Sequence, residues 1–166
     1  MGGWVAAEMA ACNAKQFSRM VLVAPAGVGP EHGEVWDYFI HSNAEALAQS
    51  FHDSAKMPEY ATYYGEGWTA EHETQAEQNR EMAARLIWKP YMRSHTLPAL
   101  LHGIATPTLV VWGREDRIVP LDVCQRYVRA IPGATARVLD GCGHRPEMEQ
   151  PEAFVRAVLD FLASRA

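Results

Sequence analysis

The amino-acid sequence predicts an α/β fold with about three parallel strands, covering helices and a helical insertion. Three observations predict it. Short, unbroken apolar runs recur at residues 20–24 (M-V-L-V-A) and 108–112 (T-L-V-V-W), with a weaker one at 136–139 (A-R-V-L). Runs of this length read as strands buried on both faces. Helical patterns follow the two later runs, so the order from Thr106 is strand, helix, strand, helix, the signature of a parallel sheet. Between Pro25 and Thr106 lies a connection too long to be a bare loop.

Each element has a local reason. Residues 4–14 are Ala-rich, favour helix and carry little polar surface, so burial against the sheet is expected. The first strand run ends at Pro25. Residues 31–100 are rich in aromatics: Trp36, Tyr38, Phe39, Phe51, Tyr60, Tyr63, Tyr64, Trp68, Trp88 and Tyr91. Helices are expected there at 43–51 and 70–88, the latter with Glu81 and Arg85 in the favourable i, i+4 order. The second strand run ends at Gly113. A helix then starts after Pro120, which suits a first helical turn. Its apolar positions Cys124, Tyr127, Val128 and Ile131 follow helical spacing, and Pro132-Gly133 stops it. The last helix starts near Pro151 with Phe154, Val155, Val158, Leu159 and Leu162 on one face.

Composition bounds the function. The chain has 166 residues, 48% apolar and 21% charged, with net charge −5. That is one ordinary globular domain, not a disordered, collagen-like or disulfide-dense chain. The acidic balance offers no basic face for nucleic acid. Three cysteines, Cys12, Cys124 and Cys142, make no disulfide framework, so a cytoplasmic location is expected. Cys12 and Cys124 read as core and Cys142 as a small residue in a tight turn. No signal peptide and no run of bilayer-spanning length is present, so no membrane partner is expected. Seven histidines form neither H-x-x-x-H nor H-E-x-x-H, which predicts no metal site and no cofactor. Glu71, Glu73, Glu77 and Glu81 read as a solvated helix face.

Two motifs carry chemistry. V-V-W-G-R-E-D-R-I-V-P delivers Asp116 just past the end of one strand. D-G-C-G-H-R-P-E-M-E-Q-P-E delivers His144 just past the next, in a Gly-rich turn. Both fall at the carboxyl edge of a parallel sheet, where ligands bind. A carboxylate bonded to one imidazole nitrogen fixes the tautomer and leaves the other nitrogen free to act as a base. The plainer readings are a turn or capping role for Asp116 and an ordinary loop position for His144. In the insertion, Tyr64 and Trp68 are the candidate substrate-pocket residues.

W-G-R-E-D-R-I-V-P followed by G-C-G-H-R-P-E-M-E-Q-P-E-A-F resembles the acid and histidine motifs of the α/β-hydrolase superfamily. The start, M-G-G-W-V-A-A-E-M-A, resembles the helix after that family's G-x-S-x-G nucleophile elbow. Residues 84–92, A-R-L-I-W-K-P-Y-M, are similar to the end of the cap in bacterial hydrolases related to the meta-cleavage-product enzymes. Arg145 departs from that group, where an aromatic commonly follows the histidine. The resemblance implies a hydrolase core at 1–29, a helical cap at 30–100 and hydrolase core again at 101–166. It implies esterase-like hydrolysis of a small organic substrate, with Asp116 orienting His144 and His144 as general base then acid. Met1 would supply one oxyanion donor. The nucleophile would lie directly before Met1, and no G-x-S-x-G occurs in the chain. The expectation is therefore a truncated hydrolase with an incomplete triad, inactive alone, and either a homo-oligomer or dependent on a missing N-terminal half. The alternatives are a non-catalytic interaction unit, or a parent that is a C–C hydrolase, an epoxide hydrolase or a dehalogenase.

Overall fold

The strand at Thr108–Gly113 (β2) organises the molecule, and every one of its residues is buried. The computed structural model describes all residues except 14, 58, 59, 61–63, 66, 165 and 166. Tyr63 of the aromatic set therefore lies outside the described residues. β1 (Met20–Val23) runs parallel to β2, Met20 opposite Thr108 and Val23 opposite Val111. β3 (Thr135–Leu139) runs parallel on the other edge, Leu109 opposite Thr135 and Gly113 opposite Leu139. The three parallel strands fall on the apolar runs that predict them, and the sheet order is β1-β2-β3.

Successive strand residues face opposite ways, so β2 feeds two packing layers. Val110 and Trp112 join Leu22 beneath α1 (Gly2–Cys12), the short helix α4 (Leu97–Leu100) and α5 (Asp122–Ala130). Leu109 and Val111 join Leu139 and Cys142 beneath α7 (Pro151–Ala163). On α5, Cys124 and Tyr127 are buried, as the helical spacing predicts, and Val123 is buried beside them. The Tyr127 hydroxyl donates to the Ala26 carbonyl at 2.6 Å, giving a buried polar group its partner.

The insertion carries α2 (Asn43–Ser50) and α3 (Ala70–Ile87), each opened by a capping box, Ser42 with Glu45 and Thr69 with His72. Arg80 of α3 donates to the carbonyls of Tyr38 and His41 and to Asn43, tying the two helical parts together. Glu81 and Arg85 pair at 2.5 Å. A one-turn helix α6 (Pro146–Glu149) precedes α7.

Three expectations need correction. α1 buries Ala7 and Ala10 but leaves Val5 and Met9 exposed. α7 packs through Ala153, Phe154, Ala157 and Phe161, while Val155, Leu159 and Leu162 of the predicted apolar face point outward. In both helices apolar residues wrap more of the circumference than one sheet face can cover. Cys12 is exposed at the end of α1 instead of being core. No helix among the described residues is long and apolar enough to cross a membrane.

The thiols yield a prediction. Burial pushes the Cys124 thiol up to about 11. Burial, reinforced by the Glu149, Glu115 and Glu147 carboxylates, pushes Cys142 up to about 12. Both ionise more readily unfolded, so their contribution is intact below the ordinary thiol value of 9.0 and is lost as pH rises toward the folded values. Urea midpoints should therefore fall between about pH 8 and about pH 10.5, less so in Cys124→Ala. At about pH 8 a disulfide reagent should label Cys12 quickly and the other two only on unfolding.

Candidate active site

Asp116 follows the turn that ends β2, and its side chain has no exposed surface. Its Oδ1 accepts from the backbone N–H of Ile118 at 2.8 Å and of Val119 at 2.9 Å. Its Oδ2 lies 2.8 Å from His144 Nδ1. One oxygen thus serves the turn and the other faces the histidine ring. Three donors satisfy a carboxylate that would otherwise be costly to bury.

His144 sits past β3 in a loop held from several sides. Its backbone N–H donates to the Ser50 carbonyl at 2.8 Å. Glu115 brackets the preceding turn: its Oε2 accepts from Cys142 N at 2.9 Å and its own N–H donates to the Cys142 carbonyl at 3.0 Å. Glu149 accepts from Gly143 N at 2.5 Å with one oxygen, and from His52 N at 2.7 Å and Asp53 N at 3.0 Å with the other. Close approach requires two glycines. A Cβ on Gly113 would overlap the carbonyls of Cys142 and Gly143, and one on Gly143 would meet His52 N and Ser50 O at 2.8 Å. Because a carboxylate only accepts, the Asp116 contact assigns a proton to Nδ1, and in the neutral ring Nε2 then carries the lone pair.

His144 lines a cavity of about 400 Å3. Tyr64, Trp68 and Met1, the other positions singled out in the sequence, line the same cavity. The Trp68 indole donates to Glu73 at 2.7 Å, and Glu73 also accepts from Asn43 Nδ2 at 2.7 Å. These bonds hold the Glu73 carboxyl below its ordinary range. Glu73 therefore fixes a cavity wall and is not simply part of a solvated face. Ser50 lines the cavity too, but its Oγ donates to the Ala46 carbonyl at 2.7 Å. No serine side chain among the described residues bonds His144. No cluster of His, Cys, Asp and Glu suited to a metal ion occurs among the described residues. Sequence reasoning missed Glu115, Glu149 and the Ser50 carbonyl. Adjacency to Asp116 was the one signal for Glu115, and nothing in the spacing separates Glu149 from Glu147.

A family model described as "Alpha/beta hydrolase family" matches residues 1–157. The chain is 48% identical over 64 residues to the 2-hydroxy-6-oxononadienedioate/2-hydroxy-6-oxononatrienedioate hydrolase of Cupriavidus pinatubonensis, a match covering 39% of this chain and 22% of that protein. Among solved structures, it resembles the 2-hydroxy-6-oxo-6-phenylhexa-2,4-dienoate hydrolase of a Rhodococcus species with TM-score 0.71 and 21% identity, covering 99% of this chain and 62% of that one. It resembles a bacterial membrane phospholipase A with TM-score 0.77 and 22% identity, covering 96% of this chain and 53% of that one. The chain thus spans less than two thirds of the length of each, and the structural likenesses speak to the fold alone.

Glu149 offers a direct test of the loop's construction. Glu149→Ala strands three backbone N–H groups and should cost about 2–4 kcal/mol in urea unfolding. Amide exchange at Gly143 and His52 should accelerate in the same variant, while Glu147→Ala, on the exposed side of α6, should change neither.

Proposed function

The chain belongs to the α/β-hydrolase family, and on that premise we propose that it carries the acid and base of a Ser-His-Asp hydrolase acting on a small, ester-like organic substrate. The observation that carries the reading is the 2.8 Å contact between buried Asp116 and a His144 that lines the cavity. In this reading Nε2 of His144 takes the proton from an attacking hydroxyl and later gives it to the leaving group. Asp116 holds the ring and stabilises the imidazolium without itself becoming protonated. The attacking serine comes from outside these 166 residues, and the Met1 backbone contributes to the oxyanion site. Tyr64 and Trp68 contact the substrate. The core segments are 1–29 and 101–166 with 30–100 as cap, and the chain is cytoplasmic.

A second reading is carbon–carbon bond hydrolysis. The relative named as a 2-hydroxy-6-oxononadienedioate/2-hydroxy-6-oxononatrienedioate hydrolase favours it. The two readings separate on substrate: a p-nitrophenyl ester against a 2-hydroxy-6-oxo-dienoate, followed by loss of its chromophore.

The activity test has two arms. The purified chain should turn over p-nitrophenyl butyrate no faster than its His144→Ala variant. Assembled with a segment bearing a G-x-S-x-G elbow, it should gain activity, and His144→Ala or Asp116→Asn should then lose about 10³-fold or more. Activity indifferent to His144 would overturn the reading. Activity of the chain alone that vanishes in His144→Ala would place the nucleophile within it.

The same proposal includes self-association or capture of a complementary segment, supported by exposed Val5 and Met9 on α1 and Val155, Leu159 and Leu162 on α7. Size-exclusion chromatography with light scattering should show a species larger than one chain, and a stable, well-folded monomer would count against it.

A further inference from the structure

The residue after the histidine carries an inference beyond the dyad. Arg145 is the only permanently charged side chain among the described residues lining the cavity. Its Nη1 donates to the Tyr64 hydroxyl at 2.6 Å and lies 3.7 Å from Met148 Sδ. Its guanidinium carbon stands 5.7 Å from the ring centroids of both Phe51 and Tyr64. Two aromatic faces thus fix the plane of the guanidinium.

What Arg145 lacks among the described residues is an anion. Arg85, Arg114, Arg126 and Arg129 all pair with carboxylates. Arg145 pairs with none among the described residues. The carboxylates nearest in sequence are otherwise engaged: both Glu149 oxygens accept backbone N–H groups, and Glu147 is exposed. A half-buried guanidinium with five donors and only neutral partners among the described residues retains capacity for a planar, two-oxygen acceptor.

The geometry points to Arg145 as the specificity-determining residue that binds a free carboxylate on the substrate, away from the bond that is cleaved. The substrate class is then a small organic acid that also carries the hydrolysable group. With one guanidinium as the only permanently charged side chain among the described lining residues, the cavity matches a single carboxylate better than a doubly charged phosphate. The inference rests on the hydrolase reading, because it takes this cavity as the substrate site.

Monomethyl glutarate and neutral dimethyl glutarate test it as probes on the chain itself, by calorimetry and by the His144 imidazole resonances. The monoester should bind at least about tenfold tighter near neutral pH, with the preference shrinking as salt is added. Arg145→Met, which keeps the stem against Phe51, should equalise the two probes, and Arg145→Lys should retain part of the preference. Thermal unfolding of both variants checks that the fold is intact. Equal binding of the two probes to the wild type, or a preference that survives in Arg145→Met, overturns the inference and leaves the hydrolase reading standing. If neither probe moves the His144 resonances, the inference fails together with the cavity's role as the substrate site.

Discussion

A buried carboxylate must have its charge answered, and Asp116 answers it by division. One oxygen takes the two backbone N–H groups of its own turn, and the other takes the His144 ring. Burying an ionised carboxylate without partners is prohibitive. The turn after β2 therefore cannot relax independently of the loop after β3. That coupling needs β2 and β3 side by side and parallel, so that both chain ends emerge at one edge. It also needs a residue without a side chain at Gly113, where the two loops come closest.

The same logic repeats around the histidine. Irregular loops leave backbone N–H groups with no ladder partner, and a buried unsatisfied donor is expensive. Glu115 and Glu149 supply acceptors to Cys142, Gly143, His52 and Asp53. Because each Glu149 oxygen serves a different chain segment, one side chain joins the histidine loop to the insertion after α2. The Ser50 carbonyl makes the reciprocal link by accepting from His144 N. The ring is thus held by main-chain geometry before any substrate contributes. Preorganisation of this kind is what general-base chemistry requires.

Much of this was legible in the sequence, for identifiable reasons. The runs at 20–24 and 108–112 mark strands because residues covered on both faces must be apolar throughout. Asp116 and His144 stand out because strand ends in a parallel sheet converge at one edge. Glu149 was not legible. Its role depends on backbone donors at His52 and Asp53, nearly a hundred residues away, and no local pattern encodes that approach. Cys12 and the outer face of α7 were misread because hydrophobicity measures the cost of exposure, not whether cover is present. Glu73 was misread as solvated because its partners, Trp68 and Asn43, belong to different turns of the insertion.

The geometry of the dyad and the apolar surplus of the chain are physically separable. Every hydrogen bond that positions His144 begins and ends within the described residues: Asp116, Ser50, and the carboxylates bracketing Cys142 and Gly143. The uncovered apolar residues Val5 and Met9 on α1 and Val155, Leu159 and Leu162 on α7 are not among those partners. Covering those faces would add apolar burial to the whole fold in proportion to area. It would not add a partner to Asp116 or His144. The orientation of the imidazole is therefore a local property of this chain, set by one carboxylate's two oxygens, whereas its stability is open to whatever packs against α1 and α7.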